Sequence, residues 1–246
     1  MEHQTVSRDA WTKARVALLE KEKEFTRLKD ELSAARRELP WFEVTEPYVF
    51  DGPQGPVTLA ELFGGRSQLF VKHFMLRPGQ ENPCIGCSFE VDHLAGILMH
   101  LENHDVAYVA IARAPIAEIE ALRQRMGWQF PFVSSHRSDF NYDFQVSFTP
   151  EQMAQGKATY NYREEKPEGT DYSGDSVFYK DADGRIFHTY STFGRGGEQF
   201  LGIYGFLDVM PKGRAENGPY RSLGDWVRLR DRYGSSTGCG CKDSSS

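Results

Sequence analysis

The sequence predicts an α/β domain with a parallel core, and three observations carry that prediction. Short apolar runs alternate with segments of helical period between residues 69 and 133, the pattern of parallel strands joined by helical crossovers. Further on, Asp183-Gly184 separates two strand-like runs, which reads as an antiparallel hairpin. The composition is globular, with 246 residues of which 39% are hydrophobic and 26% charged, enough for a full core and too polar for a membrane bundle.

The first element is a long amphipathic helix. Trp11, Leu18, Phe25, Leu32 and Leu39 recur every seventh residue, with Ala14, Leu28 and Ala35 on the neighbouring row and Pro40 as the stop. Two readings of this stripe stay open: a helix folded back on its own domain, or a seam for a second subunit and hence a homodimer. Tyr48-Val49-Phe50 is a short strand, residues 51–56 are turn-rich, and residues 58–63 are helical. Residues 69–75 form a buried strand, broken only by Lys72 and His73, that runs into a Pro78-Gly79 loop.

The loop delivers Pro83-Cys84-Ile85-Gly86-Cys87, after which Phe89, Leu94, Ile97, Leu98 and Leu101 follow at helical spacing, so Cys84 opens a helix. A strand at 106–111, a helix at 116–126 and a strand at 130–133 complete the alternating run. Residues 161–174, rich in Glu, Lys, Pro, Gly and Asp, read as a long exposed loop. The hairpin strands fall at 176–180 and 185–191, and Gly194 to Gly197 lead into a last helix. The domains expected are residues 1–40, the helix; 41–214, the α/β domain; and 215–246, a C-terminal extension whose Ser- and Gly-rich end from 235 is flexible.

Charge and motifs narrow the function. A formal charge of -6 removes the basic surface that nucleic-acid binding needs. The N-terminal residues lack the apolar stretch of a signal peptide, and the longest apolar run, 106–112, is far short of the about 20 residues of a membrane helix. A cytoplasmic protein with neither membrane nor nucleic-acid partner is expected. In that reducing compartment close cysteine pairs are catalytic, redox-active or metal-binding more often than static staples. The four cysteines fall as Cys84/Cys87 and Cys239/Cys241.

A helix N-terminus stabilises a thiolate, which is the attacking form of cysteine. This makes Cys84 the candidate nucleophile and Cys87, one turn on, the resolving thiol. On a flexible arm Cys239 and Cys241 would shuttle electrons to that pair; alternatively they are exposed thiols with no role. A third reading makes the cysteines ligands of zinc or copper in a metal-binding or regulatory module, although a C-x-C pair in a tail fits a structural zinc site less well than two C-x-x-C knuckles.

His73 and His93 flank the cysteine loop, and His136, Asp139 and Asp143 form a polar group after Ser134-Ser135. All five read as core, capping or solvated residues more readily than as ligands. There is no P-loop, dinucleotide fingerprint or hydrolase elbow, and no cofactor is called for.

These residues resemble a known family. The strand, the Pro-Cys-x-x-Cys turn and the later hairpin look like the thioredoxin superfamily, in particular its peroxiredoxin-like branch. Trp41 after Leu39-Pro40, Gly65-Arg66-Ser67-Gln68-Leu69, Pro83-Cys84 with Cys87-Ser88, Met126-Gly127-Trp128, Asp139-Phe140-Asn141 and His188-Thr189-Tyr190-Ser191 resemble the bacterial DUF899 family.

The resemblance implies a thioredoxin-like fold, a central mixed sheet flanked by helices with the long N-terminal helix added. The strand-C-x-x-C-helix arrangement itself predicts thiol-disulfide oxidoreductase activity, on a small-molecule or protein disulfide or a peroxide and with a thiol as reductant. The resemblance also implies Trp128, Tyr190 and Arg195 as residues lining the site, and His73, on the strand before the cysteine loop, is a further candidate lining residue. Two features depart from the superfamily. No proline precedes Ser176-Val177, where thioredoxins carry one that binds extended protein substrates, and the Pro-x-x-x-Thr-x-x-Cys motif of peroxiredoxins is missing around Cys84.

Overall fold

The computed structural model describes residues 3–234. The chain divides into two compact units, one up to Trp41 and the other from Phe42 onward. The first is a single helix, α1 (Arg8–Arg37), whose start is capped by Ser7: its Oγ accepts the N–H of Ala10 at 3.3 Å. Nothing in α1 is buried, and Trp11, Leu18, Phe25 and Leu32 of the seven-residue row are exposed.

In the second unit the elements are β1 (Phe42–Glu43), β2 (Val49–Gly52), β3 (Gly55–Thr58), α2 (Leu59–Leu62), β4 (Gln68–His73), α3 (Ile85–Asp92), α4 (Leu98–Asn103) and β5 (Val106–Ala112). They continue with α5 (Ile116–Met126), β6 (Phe132–Ser134), α6 (Phe140–Asp143), α7 (Pro150–Gln155), β7 (Ala158–Tyr160), β8 (Arg163–Glu165), β9 (Gly174–Lys180), β10 (Ile186–Phe193) and α8 (Gly202–Leu207). The 8-stranded sheet has the order β1-β10-β9-β4-β5-β6-β2-β3. Strands β4, β5 and β6 are parallel, while β9 runs antiparallel to β4 and pairs with β10 as a hairpin.

A parallel β4-β5 pair joined through helices, with an antiparallel hairpin on the other side of β4, is the thioredoxin-like fold. Local chemistry sets the element ends. Thr58 and Glu61 form a capping box at α2, and Gly127 at φ 67° terminates α5 in the left-handed conformation that glycine adopts without cost.

Alternation along β4 sends successive side chains to opposite faces of the sheet. Leu69 and Val71 join a core with Phe50, Phe63, Phe140 and Phe178, whereas Phe70 and Phe74 pack with Cys87, Tyr108, Trp128 and Phe132 under α3 and α5. Among the described residues no helix is long and apolar enough to cross a membrane.

Three segments differ from the sequence expectation. Residues 161–174 are not one exposed loop: β7 and β8 form a small hairpin, and Asp171 is held by a bidentate ion pair with Arg113, both N–O distances being 2.6 Å. Residues 51–56 continue into the β2-β3 hairpin. The segment beyond 214 contributes core, since Val227 is fully buried and packs with Phe89, Leu201 and Tyr204, and Leu229 joins the core under α5.

Candidate active site

The centre of the site is the first turn of α3. Cys84 occupies the N-cap position, and its Sγ accepts the backbone N–H of Cys87 at 3.5 Å. A serine or aspartate at an N-cap uses its side-chain oxygen in the same way, to satisfy one of the free N–H groups of a first helical turn. Here the acceptor is sulfur, so the bond that starts the helix also favours a negative charge on the thiol. The Cys84 N–H is held by the Met75 carbonyl at 3.4 Å, which ties the loop back to the end of β4.

Cys84 is half-buried, Cys87 is buried, and the two sulfurs are not bonded to each other. The Cys84 thiol is pushed down to about 6, first by the hydrogen bond from the Cys87 thiol and against the cost of burial. The N–H groups of Cys87 and Gly86 and the positive charge of Lys72 assist. For Cys87 the direction is opposite. Its thiol is raised by donating to Cys84, by burial and by the Cys84 charge. One sulfur is prepared as thiolate and its neighbour is kept as thiol.

Beneath the pair lies a buried charged triad. The Lys72 Nζ contacts Glu90 Oε2 at 2.6 Å and Asp175 Oδ1 at 3.2 Å, with only 2% of the Lys72 side chain exposed. Burial opposes charge on Lys72, but Asp175 and Glu90 outweigh it and hold the ammonium protonated. Burial pushes the Glu90 carboxyl up to about 8; Lys72 pulls it back and Asp175 adds to the rise. Glu90 therefore holds a proton to higher pH than an exposed carboxyl does. Gly197 caps the carboxylates, because a Cβ there would lie 3.2 Å from Asp175 Oδ2 and 3.5 Å from Glu90 Oε2.

A cavity of about 470 Å³ opens above the pair, lined by Cys84, Cys87 and Glu90 on one side and by Arg195, Tyr204 and Arg221 on the other. Arg195 thus reaches the site, paired with Glu198 at 2.7 Å. The other sequence candidates lie elsewhere. Trp128 is a buried core residue that donates its indole N–H to Asp92 at 2.8 Å. Tyr190 is on β10 and does not line the cavity.

His73 points to the opposite face of the sheet and bonds to Ser176 at 2.8 Å. The Nδ1 of His93 lies 2.7 Å from the Phe89 carbonyl, and its Nε2 accepts the Ile203 N–H at 3.4 Å. His136 contacts the Arg113 carbonyl and Asp143 accepts the Tyr48 hydroxyl, so neither joins Asp139 in a cluster.

Among the described residues no three His, Cys, Asp or Glu groups converge as metal ligands. A four-thiolate site would need Cys239 and Cys241, which lie outside the described residues, as does the proposed shuttle. The triad of Lys72, Glu90 and Asp175 was not singled out from the sequence. The available signal was a lysine inside an apolar strand and a glutamate three residues after Cys87, one helical turn further along the same face.

The family model described as "Bacterial protein of unknown function (DUF899)" matches residues 1–233. The chain belongs to the DUF899 family. None of the curated protein sequences matches it. Among solved structures, this DUF899 chain is similar to peroxidoxin BcpB from Mycobacterium tuberculosis, with 14% identity, 66% of this chain and 94% of that one covered, and a TM-score of 0.44. Peroxiredoxin Q of Xanthomonas campestris gives 13%, 65%, 94% and 0.44, and PrxQ of Xylella fastidiosa 14%, 63%, 85% and 0.41, for the same four measures.

Proposed function

We propose that this protein is a thiol-disulfide oxidoreductase that reduces a small disulfide with the Cys84/Cys87 dithiol. The observation that supports the reading is the N-cap sulfur of Cys84, which receives a helix N–H and stands beside a second thiol at the floor of an open cavity.

The chemistry follows from thiolate attack. The Cys84 thiolate attacks one sulfur of the substrate R–S–S–R′, forming a Cys84–S–S–R mixed disulfide and releasing R′–S⁻. Cys87 then gives up its proton and attacks the Cys84 sulfur, forming the Cys84–Cys87 disulfide and releasing R–S⁻. The substrate gains two electrons and the dithiol loses two; an external thiol reductant restores the pair by the reverse exchange. Cys87 cannot attack as a thiol, and we propose Glu90, which lines the same cavity and whose carboxyl burial raises, as the group that takes its proton.

Thiol titration with an alkylating reagent, with and without prior oxidation, tests the proposal. The expected result is one thiol ionising near about 6 and a disulfide that a dithiol reductant reverses. A Cys84 pKa at the ordinary thiol value of about 8.5, with no Cys84–Cys87 disulfide, overturns it.

A further inference from the structure

The opposite face of the sheet carries a second cavity that the thiol chemistry does not use. It measures about 500 Å³, and the rings of Phe42, Tyr48, Phe144, Tyr162 and Phe193 form its walls. The rings stand at angles to one another rather than stacked. Tyr48 and Phe144 meet at 60° with centroids 6.2 Å apart, and Tyr162 and Phe193 at 76° and 5.6 Å.

The charges on these walls are of one sign. Glu46 and Asp143 line the cavity, no Lys or Arg does, and among the described residues neither carboxylate is paired with one. His188 also faces the cavity, and burial lowers its pKa, which keeps it neutral. Most wall polar groups are already satisfied by one another. Tyr48 Oη donates to Asp143 Oδ2 at 2.6 Å, Tyr162 Oη donates to the Ser191 carbonyl at 3.3 Å, and His188 Nε2 lies 2.7 Å from Ser191 Oγ. What is left for a ligand is aromatic surface and negative charge.

Two non-glycine residues of the wall, Gln145 at φ 56° and Tyr162 at φ 61°, are held in the left-handed region. Such backbone strain persists only where the surroundings impose it, and it gathers at ligand sites.

From this we infer that the protein has a second binding site, for a small organic cation of the quaternary or tertiary ammonium class, in the aromatic cavity between Tyr48, Phe144 and Tyr162. Ring faces carry the negative part of the aromatic quadrupole and attract a cation that is too weakly hydrated to prefer water. The two unpaired carboxylates add long-range attraction and exclude anions. A neutral aromatic molecule would gain the ring contacts without the charge. This site lies on the sheet face of Phe140 and Phe144, away from Cys87, so it stands or falls independently of the oxidoreductase reading.

Calorimetric titration of the full chain with benzyltrimethylammonium chloride, and separately with benzyl alcohol as the uncharged comparison, tests the inference. Saturable binding of the cation is expected, with a Kd below about 1 mM and affinity at least roughly tenfold above that of the alcohol. Tyr162→Ala and the double change Glu46→Gln with Asp143→Asn should each weaken the cation roughly tenfold, with Cys84 alkylation unchanged as the check on folding. Because Asp143 also holds Tyr48, the exposed Tyr162→Ala decides the matter if the double variant fails to fold. No saturable heat, equal binding of benzyl alcohol, or undiminished binding by Tyr162→Ala overturns the inference.

Discussion

Lys72 and His73 are neighbours on β4, yet they serve two different interiors. Lys72 faces α3 and sits in a charged triad with Glu90 and Asp175 beneath the cysteines; His73 faces the other way and starts a neutral chain. That chain runs from His73 Nε2 to Ser176 Oγ at 2.8 Å, on to Ser191 Oγ at 2.8 Å, and to His188 Nε2 at 2.7 Å. The partner strand mirrors the division, because Asp175 and Ser176 are also adjacent and also point apart.

The difference is one of cost. A buried charge needs opposite charges and keeps its neighbours titratable near neutrality, whereas a buried neutral imidazole needs only hydrogen bonds and is pushed away from its charged form. His73 is lowered to about 3, by burial first, then by the Lys72 charge and by the neighbouring His188 imidazole, which cannot take up a proton at the same time.

The largest effect that separates the two faces is expected from Cys84→Ser, which should abolish reversible disulfide formation and disulfide reduction while leaving the His73 face intact. Turnover of a small disulfide by this variant would break the assignment of the thiol face. Next comes Lys72→Met. Removing the cation leaves Glu90 and Asp175 buried together, and urea unfolding at pH 7 should show a loss of about 3–5 kcal/mol. Adding Glu90→Leu and Asp175→Leu should recover much of it, since removal of a whole buried ionic group costs less than breaking one.

The pH dependence of stability should differ in sign between the faces. Glu90 is raised in the folded protein, so at pH values between about 4.5 and about 8 the folded state holds a proton that the unfolded chain has released. Stability from this group is complete below that window and is lost as pH rises through it. His73 is depressed, so below about 6.5 the unfolded chain binds a proton that the folded state refuses, and stability falls as pH drops towards about 3. Glu90→Gln should flatten the first slope and His73→Leu the second, read by denaturant midpoints across pH. If either variant keeps its wild-type slope, that residue is not the titrating group. The smallest expected effect is Ser176→Ala, about 1 kcal/mol for a broken neutral hydrogen bond, with Cys84 ionisation unmoved.

How far the site could be read in advance depends on sequence distance. The Cys84 N-cap was legible because everything it needs is local: a strand, a loop, Pro83-Cys84 and a helical period, all within about 20 residues of the sulfur. The triad joins β4, α3 and β9 over separations of 18 and 103 residues, and no local pattern links Lys72 to Asp175. Trp128 illustrates the reverse. The family resemblance implies it as a wall of the site, but its large apolar ring is taken up by Phe74, Phe130 and Phe132, and its N–H by Asp92. Asp171 shows why the acidic, Pro- and Gly-containing segment around it reads as exposed in sequence but is not so in the fold: polar composition marks a loop only until a distant arginine pairs with it.

Periodicity and spacing alone determined the alternating α/β class, the long heptad-patterned helix, the hairpin and the thiol at the start of a helix. These depend on interactions between residues a few positions apart, which the chain carries wherever it goes. Only the tertiary structure decided which strand faces meet, that a lysine and two acids share one buried site, and that five rings and two carboxylates enclose a second cavity. Burial, and the shifts in charge that come with it, arise from groups far apart in sequence, so they exist only once the sheet has been assembled.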